Sequence, residues 1–142
     1  MDSISKWLGV VGNSISVVWI LADTALWTAE VEIIKVYPPL IGDVSSTLWI
    51  LSLLFSMLRL GRTLQLIRRQ IKFLDPANAY AANLQYRLEK CRTAIVRDFI
   101  DLWIPLSALK FVSGGLGAAC GMLSSAIRLR QCHRSMGKLK HA

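Results

Sequence analysis

The sequence predicts an all-α fold: a helical membrane protein with about four helices, two of them membrane-embedded. Three observations carry that expectation. Hydrophobic residues make up 54% of the 142 residues and charged residues only 18%, with a mean hydropathy of +0.44, the reverse of the balance that keeps a chain disordered. Two stretches, 44–58 and 111–127, contain no Asp, Glu, Lys or Arg. Elsewhere apolar residues recur every three or four positions, the spacing of one helix face. The length allows a single domain, and four Pro and nine Gly are too few for a linker or a collagen-like repeat.

An N-terminal helix is expected over residues 5–36. Trp7, Val11, Ile15, Val18 and Ala22 fall on one face of it, and no charge lies between Lys6 and Asp23. A signal peptide is disfavoured, because one Lys precedes the apolar region and Asp23 interrupts the small residues Ala22 and Ala25. Pro38 and Pro39 should end the helix. A membrane segment follows at 44–60, with Ser45, Ser46 or Thr47 as its N-cap. Its uncharged run rises only ~22 Å, short of the ~30 Å hydrocarbon core, so Arg59 and Arg62 would extend it by snorkelling.

Residues 62–102 read as a basic amphipathic region. Leu64, Ile67 and Ile71 oppose Arg68, Arg69 and Lys72, forming a short interfacial piece. After Asp75-Pro76, a helix from about Ala77 to Leu102 carries a heptad seam of Tyr80, Leu84, Leu88, Cys91, Ile95, Phe99 and Leu102. The second membrane segment is expected at 103–127, entered through Trp103 and Pro105 and interrupted by Lys110. Its uncharged stretch would rise about 26 Å, enough to span with basic flanks. Gly114, Gly117, Gly121 and Ser124 share one helical stripe, and small residues let helices approach closely in lipid. That stripe is the expected helix-association face, meeting a second copy or the 44–60 segment. A basic tail, 128–142, ends the chain.

Charge is divided between the two halves. Residues 1–58 hold five acidic and two basic residues, whereas 59–142 hold fifteen basic and four acidic, within a net charge of +8. The basic half is expected to lie on anionic lipid headgroups through Arg62, Arg68, Arg69, Lys72, Arg128 and Arg130; nucleic acid is the less natural partner for so apolar a chain. The positive-inside rule would put the basic connection between the two membrane segments in the cytosol. Cys91, Cys120 and Cys132 are too few and too widely spaced for a disulfide framework, and Cys132-His133 lacks further ligands for a metal. No catalytic motif is present, no cofactor is implied, and no enzyme is expected. The acidic pairs Glu30/Glu32 and Asp98/Asp101 read as solvated charge. Lys110, a charge inside an apolar run, is the residue that would support the alternative of a small pore-like or solute-permeability protein.

The run Ser46 to Leu54 followed by Arg59 resembles the central signature of the peroxisomal membrane protein 11 family, most nearly its gamma-type members. Gly12-Asn13 and Ala25-Leu26-Trp27 resemble the preceding segment, and Asp98 to Pro105 with Gly121 to Ser125 resemble its C-terminal membrane segment. The positions carrying the likeness include Trp27, Leu48, Trp49, Ser52, Leu53, Leu54, Arg59, Asp98, Gly121, Ser124 and Ser125. The resemblance implies an integral protein of the peroxisomal membrane with both chain ends in the cytosol. It further implies promotion of peroxisome elongation and division, homo- or hetero-oligomers with related members, and contact with a fission adaptor and a dynamin-like GTPase. Compared with the usual family member, the chain is expected to lack an N-terminal part bearing an amphipathic helix.

Overall fold

The computed structural model describes residues 3–31, 38–74 and 79–139, and among them every regular element is a helix: α1 (Ser3–Glu30), α2 (Pro38–Lys72), α3 (Ala79–Asp101), α4 (Trp103–Ala108) and α5 (Gly114–Leu139). The expected extension of the first helix to residue 36 and the Asp75-Pro76 start of the third fall outside the described residues. α3 and α4 form one kinked arm. Leu102 keeps a right-handed helical backbone between them, and its N–H bonds the Asp98 carbonyl at 3.1 Å. Pro105 has no N–H for the Asp101 carbonyl four residues back, which interrupts the ladder there.

The arms run up, down, up and down. α1 and α2 are antiparallel, pairing Gly9 with Arg59, Gly12 with Phe55, Ser16 with Ser52, Trp19 with Trp49 and Leu26 with Gly42. α3 returns along α2, with Leu84 and Leu88 packed on Ile67 and Asp98 bonded to Ser56. α4 continues beside α2, and α5 folds back on α4 and α3. α1 packs on α2 alone among the described elements.

Four expectations about the elements change. Pro38-Pro39 open α2 rather than only closing α1, because their fixed φ and missing N–H suit the first turn of a helix. The 44–60 segment and the 64–71 piece are one helix, ~52 Å long, which Gly61 does not break. The 103–127 segment is broken at Leu109–Ser113. There Lys110 takes φ 62°, its N–H bonds Ser107 O, and the Phe111 N–H bonds Leu106 O, both at 3.0 Å. This is a Schellman C-cap on α4 with Lys in the position glycine usually fills. Among the described residues, the helices long and apolar enough to cross a membrane are α1, over Lys6–Glu30, and α2, over Leu40–Lys72.

The expected apolar face of α1 points outward: Trp7 is 70% exposed and Val18 51%. Along the rest of the same helix Val10, Val17, Ile20 and Leu21 are also exposed, while Gly9, Gly12, Ser16 and Trp19 meet α2. In α3 the seam drifts at both ends. Ala81 replaces Tyr80 at the N-terminal end, and Asp98 and Asp101 replace Phe99 and Leu102 at the other. The expected positions are spaced 4, 4, 3, nearer an eleven-residue repeat, whereas the inward ones from Ala81 to Asp98 keep the 3, 4 spacing of a seven-residue repeat, and the carboxylates take the buried face because partners wait for them there.

Candidate polar cleft between the helices

Beside the α1–α2 seam, at the end of the bundle that holds the first turns of α1, the helices enclose a cleft of about 500 Å³. α1 contributes Gly9, Gly12, Asn13 and Ser16; α2 contributes Ser52, Ser56 and Arg59; α3 contributes Arg97, Asp98 and Asp101; α5 contributes Arg128. The seam sets its shape. Glycine at 9 and 12 lets α2 come close, since a Cβ at Gly12 would lie 3.2 Å from Phe55 Cβ and one at Gly9 3.5 Å from an Arg59 guanidinium nitrogen. Further along, the Ser16 and Ser52 hydroxyls share a 2.7 Å hydrogen bond, and Trp19 stacks on Trp49 with ring centroids 5.2 Å apart.

Asp98 and Asp101 are buried, at 3% and 4% exposure, not solvated as the sequence suggested. A buried carboxylate persists only with partners, and both have them. Asp98 accepts hydrogen bonds from Ser56 Oγ at 2.7 Å and from Arg97 Nη2 at 3.0 Å and Nε at 3.3 Å. Asp101 accepts one from Arg128 Nη2 at 2.8 Å. These bonds tie α3 to α2 on one side and to α5 on the other. Arg59 lines the same cleft, and its guanidinium forms no ion pair or hydrogen bond among the described residues. Two buried polar atoms, Trp19 Nε1 and Ser124 Oγ, also have no partner there. No three His, Cys, Asp or Glu side chains gather as metal ligands among the described residues. The cleft can bind: two guanidinium groups are fixed by carboxylates and a third is uncommitted.

The structure divides the residues singled out in the sequence. Trp49, Ser52, Leu53, Arg59 and Asp98 converge on the cleft, whereas Trp27, Leu54 and Ser125 face outward and Leu48 is half-buried. The small-residue stripe is closed within the chain. A Cβ at Gly117 would overlap Ser107, and one at Gly121 would touch Ile104, so α4 rather than α2 meets the stripe at these two positions. Gly114 is exposed and Ser124 buried at 2%. Lys110 is exposed at the α4–α5 turn and lies outside the cleft. Arg68, Arg69, Lys72 and Arg130 are exposed, as headgroup contacts must be, and Arg62 is half-buried, but Arg128 is engaged by Asp101. Sequence reasoning missed Gly9, Ser16, Trp19, Ser56 and Arg97. The available signal was small and polar residues every three or four positions inside α1 and α2, the mark of a helix seam in lipid.

Compared with known proteins, the chain matches the family model described as Peroxisomal biogenesis factor 11 (PEX11) over residues 1–133. No curated protein and no solved structure matches it.

Proposed function

Because the chain belongs to the peroxisomal biogenesis factor 11 family, whose role is in peroxisome proliferation and division, we propose that it is an integral protein of the peroxisomal membrane that promotes elongation and division by assembling in the bilayer and recruiting fission factors. The observation that carries the membrane reading is the inside-out hairpin. α1 and α2 expose large apolar side chains along their outer faces and turn their small and polar residues toward each other. Water would penalise that arrangement and lipid favours it.

Charge supports one orientation. The hairpin tip carries Asp23, Glu30 and Asp43, and the opposite end carries Lys6, Arg59, Arg62 and, across the cleft, Arg97 and Arg128. The positive-inside rule places the basic end in the cytosol, and the first turns of α1 lie at that end. With the hairpin made of α1 and α2, this rule and the family expectation of cytosolic termini agree. A fission adaptor and a dynamin-like GTPase would then meet the basic end. With the glycine stripe closed by α4, the surface for assembly with family members is the outer face of α1.

The test uses tagged full-length chain in cells. Retention in the membrane pellet after alkaline carbonate extraction, digestion of both terminal tags in intact organelles, and elongated or more numerous peroxisomes on overexpression are expected. Release by carbonate, or protection of both tags, would overturn the placement. The polar cleft favours a second reading, a solute-permeability protein; faster swelling of proteoliposomes in small polar solutes would support it.

A further inference from the structure

Among the described residues, one cation in the cleft, Arg59, has no charged partner. Asp98 and Asp101 engage Arg97 and Arg128, so the four charges cancel in pairs. The remaining carboxylate on the cleft wall, Asp23, lies fourteen residues from Gly9 along α1, about 21 Å of helix rise. Arg59 is therefore locally uncompensated. It lies against the α1 backbone at Gly9, where no side chain intervenes. Asn13 lines the same wall one helical turn from Gly9, and its side-chain amide can donate to an anion held by the guanidinium. Beside Arg59 a cation would find only carboxylates already engaged by arginines. An oxyanion would find a planar fork of donors and the neutral amide of Asn13 beside it.

Depth selects the anion. Arg59 is the residue that ends the uncharged run of α2, so in the proposed placement it sits at the level of lipid headgroups, where phosphate is the abundant oxyanion. About 500 Å³ exceeds what a bare phosphate needs and leaves room for the rest of a headgroup.

We propose that the cleft is a phosphate-binding site in which Arg59, assisted by Asn13, holds the phosphate group of an anionic phospholipid. The lipid source rests on the membrane placement proposed above; the phosphate chemistry does not. The site is distinct from the surface basic residues, which meet headgroups without selecting one.

The purified full-length chain is reconstituted in nanodiscs of phosphatidylcholine doped with phosphatidylinositol, and retained lipid is read by native mass spectrometry. Co-elution with the disc reports insertion separately, so a failure of the membrane placement is distinguishable from an empty cleft. The parent should retain phosphatidylinositol, and Arg59→Gln should weaken retention about tenfold, the loss of one charge-assisted contact. Arg59→Lys should fall between, and Arg69→Gln, on the exposed face, should match the parent. Helix content by circular dichroism confirms that each variant is folded. Titrating inorganic phosphate onto the detergent-solubilised protein forms the second arm. Stabilisation of the parent but not of Arg59→Gln would support the site with a soluble phosphate as its ligand. Equal lipid retention by parent and Arg59→Gln, or an equal loss in Arg69→Gln, would overturn it.

Discussion

Gly117→Ala should loosen the α4–α5 pair although it replaces a poor helix former with the best one. The added Cβ would sit 2.6 Å from Ser107 Cβ, overlapping the hydroxyl as well, and 3.6 Å from the Trp103 carbonyl. Rotating Ser107 cannot relieve this, because its Cβ is fixed by the α4 backbone and its hydroxyl donates to Ile104 O at 2.7 Å. Restoring a normal carbon–carbon separation requires the helices to part by about 1 Å. Overpacking of this kind costs about 1–3 kcal/mol, and the helix gains about 1 kcal/mol from Ala over Gly, for a net loss of about 0–2 kcal/mol.

The neighbouring glycine supplies the contrast. At Gly121 the new Cβ would meet Ile104 Cδ1 at 3.6 Å, an ordinary contact, so Gly121→Ala should keep its gain of about 1 kcal/mol. Two identical changes one helical turn apart should thus differ by about 1–3 kcal/mol. Thermal unfolding in mild detergent, followed by far-ultraviolet circular dichroism, measures the difference. Ser107→Gly removes the obstructing atoms and should rescue Gly117→Ala, with a coupling of about 1–3 kcal/mol in the double-mutant cycle. If Gly117→Ala and Gly121→Ala are equally stable, or if the two changes at 107 and 117 simply add, α4 does not close that face.

Gly12→Cys with Phe55→Cys, in a chain whose native cysteines are replaced, should crosslink, since their Cβ atoms at 3.2 Å need part by only a few tenths of an ångström to reach disulfide spacing; failure to crosslink under mild oxidation would reject the α1–α2 register. Arg128→Gln should destabilise by about 3 kcal/mol or less, because it strands the buried Asp101 carboxylate although its own side chain is 62% exposed; Arg92→Gln, in an exposed pair with Glu89, should change stability by under about 0.5 kcal/mol. Equal effects in the same unfolding assay would deny the buried layer. Lys110→Gly should stabilise by about 1 kcal/mol, since glycine adopts the left-handed C-cap without strain, and an unchanged or lower melting temperature would count against the Schellman turn.

Helical class, the apolar run of α2 and its basic flank were legible in the sequence because composition and length decide them. The inner face of α1 was not. The apolar spacing marked one face through Trp7, Val11 and Val18 without saying what it meets; in lipid apolar side chains gain nothing by turning inward, and Gly9, Gly12 and Ser16 take the seam instead. The break at Lys110 was hidden for a related reason: an unbroken apolar run conceals a turn whose left-handed residue is a lysine rather than a glycine. Of the cleft, Arg59 and Asp98 were marked by the family likeness. Their company was not, because Asp101 and Arg128 are twenty-seven residues apart and only the α4–α5 hairpin brings them together.

The helical registers show why the charged layer lies at one end. α1 is uncharged between Lys6 and Asp23, and α2 between Asp43 and Arg59. The pairing of Ser16 with Ser52 and Trp19 with Trp49 places Lys6 beside Arg62 and Asp23 beside Ser45. Both arms therefore share one uncharged band, about 20 Å thick, with cations at one boundary and carboxylates at the other. α5 fits the same band, uncharged from its first residue until Arg128, and Lys110 marks the far boundary at the α4–α5 turn. In the proposed membrane placement the band is thinner than the ~30 Å hydrocarbon core, a mismatch that snorkelling or local thinning would meet. One arm breaks the pattern: Asp98 and Asp101 stand level with Ser56 and Leu53, so Asp101 intrudes about 9 Å beyond Arg59. A carboxylate at that depth is tolerated only when paired, and Arg97, Ser56 and Arg128 supply the pairing. Any protein that carries these two aspartates inside an otherwise uncharged band must bring arginines in with them, and those arginines, together with glycines that keep the seam open to Arg59, make the polar cleft.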